Sequence, residues 1–184
     1  MEAFFTSLGL VALAEIGDKT QLLAFALGAR FRKPLPIIAG ILLATLTNHA
    51  LAASIGAWIA SHLTARTVRW ISAGVFILCG IWACVPDRLE EERTVQRRSI
   101  LFTTAIAFFL VEMGDKTQIA TAALGARFHP LAAIIAGTTV GMMLADAPAV
   151  WMGERLSGRI NFKTVRYAAA ALFIITGIVS FIGA

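Results

Sequence analysis

Charge is what this sequence most lacks. Asp, Glu, Lys and Arg supply 15% of its 184 residues, 58% are hydrophobic, and the mean hydropathy is +0.79. An ordinary soluble domain carries about 25% charged residues, and a soluble fold of this length has too little interior to hide so much apolar surface. Cysteine is nearly absent. Cys79 and Cys84, five apart in one apolar stretch, share no helical face and read as small packing residues. No basic segment precedes the first apolar run, and Ala3–Ala14 leads into charged residues rather than a cleavage site, so we expect no cleaved secretory leader. The net charge of +5 would suit a nucleic-acid binder. Most of the basic residues, however, lie in short loops between apolar runs, where they set orientation in a bilayer, and nucleic acid is excluded as a partner.

Long hydrophobic runs are what the chain has instead. Six are apparent, at 3–29, 35–60, 67–85, 99–126, 131–153 and 165–184. Each approaches or exceeds the roughly 20 residues that span a bilayer. The expected fold is an all-α membrane protein of six transmembrane helices. Trp58, Trp70, Trp82 and Trp151 fall near the ends of runs and read as interfacial anchors. Gly40, Gly56 and Gly80, with Gly137, Gly153 and Gly177, read as helix contacts.

An internal duplication organises the six runs. With an offset of 97 residues, EIGDKTQ (15–21) falls on EMGDKTQ (112–118), ALGARF (26–31) on ALGARF (123–128), and IIAG (37–40) on IIAG (134–137). Between 3–84 and 100–181, 30 of 82 positions are identical without a gap, which marks a true repeat. The expected units are residues 1–85, a linker at 86–98, and residues 99–184. Three spans per unit is an odd number, so the second unit enters the bilayer from the opposite side. Such inverted repeats are typical of secondary transporters, whose substrate site lies near the midplane between the repeats. Loops one, three and five hold 11 Lys and Arg residues against 3 in loops two and four. The odd loops, the linker included, are therefore expected to be cytoplasmic and both termini outside.

Six ionisable residues interrupt the first and fourth runs: Glu15, Asp18 and Lys19, then Glu112, Asp115 and Lys116. Each costs about 2.5–3.5 kcal/mol at a bilayer centre on insertion scales, so they are expected to face the interior or a wet cavity. Glu15 and Asp18, like Glu112 and Asp115, are spaced i, i+3, so both carboxylates are expected to point to nearly the same side of a helix. The repeat then brings four carboxylates together at the interface of the halves. Thr20, Gln21, Thr117 and Gln118 add neutral oxygens. Gly17 and Gly114 allow the helices to bend or open there, freeing backbone carbonyls. Pairing within each motif, Glu15 with Lys19 and Glu112 with Lys116, would be structural glue but would leave Asp18 and Asp115 unpaired.

Carboxylate, amide and hydroxyl oxygens are hard ligands, suited to Ca²⁺, Mg²⁺ or Mn²⁺ rather than Cu⁺ or thiolate-bound zinc. With Asp146 in the fifth run, five interior acids face two interior lysines, and a divalent cation or protons would relieve the excess. One set of acids serving both points to exchange of M²⁺ for H⁺. Lys19 and Lys116 are expected to pair with motif acids when the cation is absent, or equally to snorkel toward the interface. Asn48 and His49 lie opposite Ala145 and Asp146 in the repeat, so the halves have diverged and the site is expected to be asymmetric. Asp146 and Asn48 join the secondary set for metal or proton passage.

The two copies of E-φ-G-D-K-T, one opening each half, resemble the signature of the Gdt-type cation transporters, which include bacterial manganese exporters and Golgi manganese/calcium–proton antiporters. The resemblance covers the whole chain. It implies export of Mn²⁺, in some members Ca²⁺, in exchange for protons, with Glu15, Asp18, Glu112 and Asp115 as the cation site and Thr20 and Thr117 nearby. It implies no resident cofactor, the metal being cargo and the proton the coupling ion, and no enzymatic activity. The short central loop is similar to that of compact bacterial members in the inner (cytoplasmic) membrane. The expected partners are a divalent cation and the lipid bilayer; a homo-oligomer is compatible with the sequence. The alternatives are an exporter of a small organic cation or amino acid, for which no aromatic cage is evident, a passive cation channel, and an intramembrane acid/base enzyme.

Overall fold

The computed structural model describes residues 1–83, 99–152 and 162–182. Cys84, the expected linker 86–98, Gly153 and the basic residues of the fifth loop up to Arg159 lie outside the described residues. The described chain forms eight helices: α1 (Glu2–Glu15), α2 (Lys19–Phe31), α3 (Pro34–Ser61), α4 (Ala65–Ala83), α5 (Ile100–Glu112), α6 (Lys116–Arg127), α7 (Leu131–Met152) and α8 (Phe162–Ile182). Among them, α3 and α7 are each long and apolar enough to cross a membrane. The first and fourth hydrophobic runs are not continuous helices. Each is a pair of short ones, α1–α2 and α5–α6, broken inside the acidic motif.

The surface is apolar, and the interior carries many polar side chains beside two apolar clusters, unlike a water-soluble fold. Leu78, Leu110, Trp58 and Trp151 point outward, all more than 60% exposed. Ser7, Thr20, Thr45, Asn48, His49, Thr104, Thr117, Thr138 and Asp146 are all fully buried. Polar groups avoid such a surface when the medium outside it is hydrocarbon. Trp70 is half exposed as well.

Contact registers fix the helix directions. Gly137 and then Gly141 of α7 pack on Phe4–Leu8 and then Leu8–Ala12 of α1, and Gly28 of α2 meets Val150. The pair α1–α2 therefore runs parallel to α7. Likewise Gly40 of α3 packs on Leu101–Ala105 of α5, and Gly56 meets Ala122 of α6, so α5–α6 runs parallel to α3. Helices α4 and α8 are antiparallel, Gly80 meeting Ala170 and Ile174 while Gly177 meets Ala73 and Ile77. Three of these contacts have mates at the 97-residue offset with the partners exchanged: Gly40 on α5 with Gly137 on α1, Gly28 on Val150 with Gly125 on Ala53, and Gly80 on α8 with Gly177 on α4. A residue that touches its own mate lies on the axis of that exchange: Thr45 donates to Met142 Sδ at 3.3 Å, across the crossing of α3 and α7. Glycine is required where backbones meet this closely; a Cβ on Gly28, Gly56 or Gly125 would strike the carbonyl oxygen of Val150, Ala122 or Ala53.

Candidate functional site

Each acidic motif is a helix break. Helix α1 stops at Glu15, Ile16 is extended, Gly17 takes φ +84°, and Asp18 re-starts the chain as the N-cap of α2. The second motif repeats this, with Met113 extended, Gly114 at φ +81° and Asp115 capping α6. Positive φ is a conformation only glycine adopts without cost. The i, i+3 spacing of the two acids consequently does not operate through one helix face: the left-handed glycine turns the chain between them. Asp18 Oδ1 accepts the Lys19 N–H at 2.7 Å, and Asp115 Oδ1 accepts that of Lys116 at 2.6 Å. The break is braced by side-chain amides. Gln21 Oε1 accepts the Gly17 N–H at 2.8 Å and Gln118 Oε1 that of Gly114 at 2.6 Å, so these two oxygens, expected to be ligands, are engaged on the backbone.

The lysines reach across rather than along the chain. Lys116 pairs with Asp18, and Lys19 pairs with Asp115 at 3.4 Å. Pairing within each motif, Glu15 with Lys19 or Glu112 with Lys116, is not what forms, because the helix turn it needs is interrupted at Gly17 and Gly114. Each half therefore supplies the counter-ion for the other half's aspartate. The outer oxygens of both aspartates face the opposite lysine while the inner ones cap a helix.

Glu15 and Glu112 are fully buried and differently held. Thr20 Oγ1 donates to Glu15 Oε2. Glu112 instead has His49 Nε2 at 2.7 Å on one oxygen and Asn48 Nδ2 at 3.3 Å on the other. Asn48 also donates to the Phe109 carbonyl at 3.1 Å and accepts from Gln118 Nε2 at 3.4 Å. Thr117, the mate of Thr20, leaves its hydroxyl without a hydrogen-bond partner among the described residues. Asp146 is fully buried on α7, within electrostatic reach of Glu15, Glu112 and Asp18. Gln21 Nε2 donates to the neighbouring Ala145 carbonyl at 3.0 Å.

The structure thus gathers Glu15, Asp18, Glu112, Asp115, Asn48, Asp146, Thr20, Gln21, Thr117 and Gln118 with Lys19 and Lys116 around the two breaks. Among the described residues, no three Asp, Glu, His or Cys side chains stand close enough to form a ready metal cage. His49 is the residue whose importance the sequence understates. Its signal was the divergence of the repeat at 48–49 and 145–146. Cys79, also buried, makes only a weak 3.6 Å contact from Sγ to the Lys116 carbonyl.

The ends of α1 and α5 present carbonyl dipoles to this centre, and the acids around it outnumber the lysines, an arrangement suited to drawing in a cation. Comparison with known proteins gives the same direction. The family profile described as "Divalent cation/proton antiporter GDT1" matches residues 3–91 and 100–184. A Vibrio cholerae protein named "Putative manganese exporter" is 44% identical over 176 residues, covering 95% of this chain and 88% of the relative. "GDT1-like protein 5" of Arabidopsis thaliana is 29% identical over 222 residues, covering 98% and 95%. The rice protein of that name is 28% identical over 220 residues, covering 97% and 94%. No solved structure matches. Matched across nearly its whole length, the chain belongs to the GDT1 family of divalent cation/proton antiporters, a transporter family rather than an enzyme family.

Proposed function

We propose that this protein exports a divalent cation, Mn²⁺ first and Ca²⁺ second, across the cytoplasmic membrane in exchange for protons. The observation that carries the reading is the crossed pair of lysine–aspartate bridges at two helix breaks. It places fixed positive charges on buried acids, charges that an arriving cation or proton can replace. The name of the Vibrio relative favours Mn²⁺, and the all-oxygen donor set is compatible with both ions.

In this proposal α1–α2, α3, α4, α5–α6, α7 and α8 are six spans forming two inverted three-span units, residues 1–85 and 99–184. The contact registers support it: the first span runs with the fifth, the second with the fourth, and the third against the sixth, as strict up–down alternation requires. The distribution of Lys and Arg supports cytoplasmic odd loops, a cytoplasmic linker at 86–98, and both termini outside. A cation from the cytoplasm meets Glu15, Asp18, Glu112 and Asp115, and the lysines release their aspartates as it settles. The interlocked helices of the two units re-pack to open the site outward, the cation leaves, and protons neutralise the acids for the return.

Reconstitution in liposomes with an internal metal dye and an internal pH probe tests this. Mn²⁺ flux with opposite proton movement, abolished in Glu15→Gln and Glu112→Gln, is expected. Metal flux that leaves the pH probe unchanged would identify a channel instead.

A further inference from the structure

The doubled motif implies a symmetric site, and the fold departs from that symmetry where α3 and α7 meet the motif acids. His49 on α3 and Asp146 on α7 are mates at the 97-residue offset. His49 lies 2.7 Å from Glu112, and Asn48 donates to the same carboxylate. On the opposite side, Gly141 packs on Val11 and Ala12, and Gln21, just past the break, binds the Ala145 carbonyl. Asp146 therefore stands beside the end of α1, where Glu15 is. A second carboxylate occupies the place that imidazole takes in the other half.

Neither oxygen of Asp146 has a hydrogen-bond partner among the described residues, and Glu15 Oε1 is equally buried and unpartnered. Acids stand around Asp146, Glu15, Glu112 and Asp18 among them, and Lys116 is near enough to act on Glu15. The lysines form their ion pairs with other acids, Lys116 with Asp18 and Lys19 with Asp115. A buried carboxyl in such company requires a cation or a proton to hold it.

We propose that Glu15 and Asp146, through their three unpartnered oxygens, form a half-site that receives the divalent cation first, with Glu112 held back by His49 and Asn48. The inference rests on reading the chain as a divalent-cation carrier. Three unpartnered, fully buried hard oxygens offer an incoming Mn²⁺ ligands it can take without displacing anything. Asp18 and Asp115 become available only after their lysines move, so they belong to a later, deeper stage of binding. Loading is ordered by a fully buried position at which the duplicated halves differ, His49 in one and Asp146 in the other.

The test is Mn²⁺ binding to the detergent-solubilised full chain, followed by the loss of the free-ion electron paramagnetic resonance signal, beside flux in liposomes. Asp146→Asn is expected to weaken Mn²⁺ binding on the order of tenfold or more, with an unfolding midpoint at or above that of the parent. Asp146→Cys is expected to shift preference from Mn²⁺ toward the softer Cd²⁺, a change of selectivity that a residue acting at a distance would not produce. Parent-like Mn²⁺ affinity in Asp146→Asn with no gain of Cd²⁺ in Asp146→Cys would overturn the half-site, as would a parent chain that binds no Mn²⁺. A parent that binds Mn²⁺ through Asp146 yet moves it without protons would leave the half-site standing and remove the antiporter reading.

Discussion

Asp18 and Asp115 each perform two tasks with one carboxylate, one oxygen closing a helix N-terminus and the other meeting a lysine from the opposite half. The two bridges are not equivalent in burial. The Lys116 side chain is 4% exposed and that of Lys19 26%. Removing either lysine strands a buried aspartate, at about 3–5 kcal/mol, with the loss smaller for the Lys19 pair because its lysine end is partly exposed. Both changes are therefore expected to lower the unfolding midpoint, Lys116→Met by more than Lys19→Met, and Asp18→Asn combined with Lys116→Met to recover most of the Lys116 loss. Equal effects of the two lysine changes in denaturant titrations would contradict the assignment. The threonines differ in the same spirit. Thr20→Val removes a hydroxyl that holds Glu15, while Thr117→Val removes one with no partner among the described residues. A hydrogen bond to a charged group is worth about 1.5–3 kcal/mol. Transport by Thr20→Val is expected to fall roughly tenfold or more, and by Thr117→Val to change little, measured as initial Mn²⁺ uptake. Burial of these acids could be read from the sequence, because ionisable groups inside apolar runs have nowhere else to go. Their partners could not, because Lys116 and Asp18 are 98 positions apart and no local spacing rule links them.

At the scale of elements, the decisive feature is a helix that stops and starts again. Glycine at 17 and 114 signalled freedom to bend, yet the arithmetic placing Glu15 and Asp18 on one face presumed an unbroken turn. Gly17 at φ +84° and Gly114 at φ +81° make the turn impossible, and amide side chains three residues downstream of each aspartate close the gap. Nothing crowds a Cβ at Gly114, so Gly114→Ala isolates the conformational cost. It is expected to destabilise by about 1–2 kcal/mol, the penalty of left-handed backbone for an L side chain, seen as a lower thermal midpoint. The second repeated hexapeptide, ALGARF, has a different cause. Its Gly28 and Gly125 lie against the backbones of Val150 and Ala53, which explains a duplicated sequence that carries no charge into the site. Gly125→Ala must push α6 from α3 and is expected to cost about 1–3 kcal/mol as overpacking, also by thermal midpoint. Parent-like stability there would mean that the helices do not touch at this glycine.

For the whole molecule, the two sequence repeats are not two bodies in contact. The extensive helix contacts, α1 with α7, α3 with α5, α6 and α7, α2 with α7, and α4 with α6 and α8, all join one repeat to the other, while α2–α3 and α6–α7 contacts within a repeat are sparse. The repeat and its 97-residue offset could be read from the sequence. The exchange of partners could not, because identical segments are equally compatible with two self-contained bundles. What decides between them is that Ser7, Glu15, His49, Glu112 and Asp146 are buried only where each half covers the other's polar face. The consequence is testable by cutting the chain within 86–98 and expressing residues 1–91 and 92–184 separately or together. Each fragment alone would face hydrocarbon with its acids and hydroxyls bare, at about 2.5–3.5 kcal/mol for each charged group, and is expected to be degraded or aggregated. Co-expressed, the two are expected to co-purify and to restore Mn²⁺ uptake. A stable, monodisperse single fragment would show that a repeat can satisfy its own interior, which the exchanged contacts do not allow.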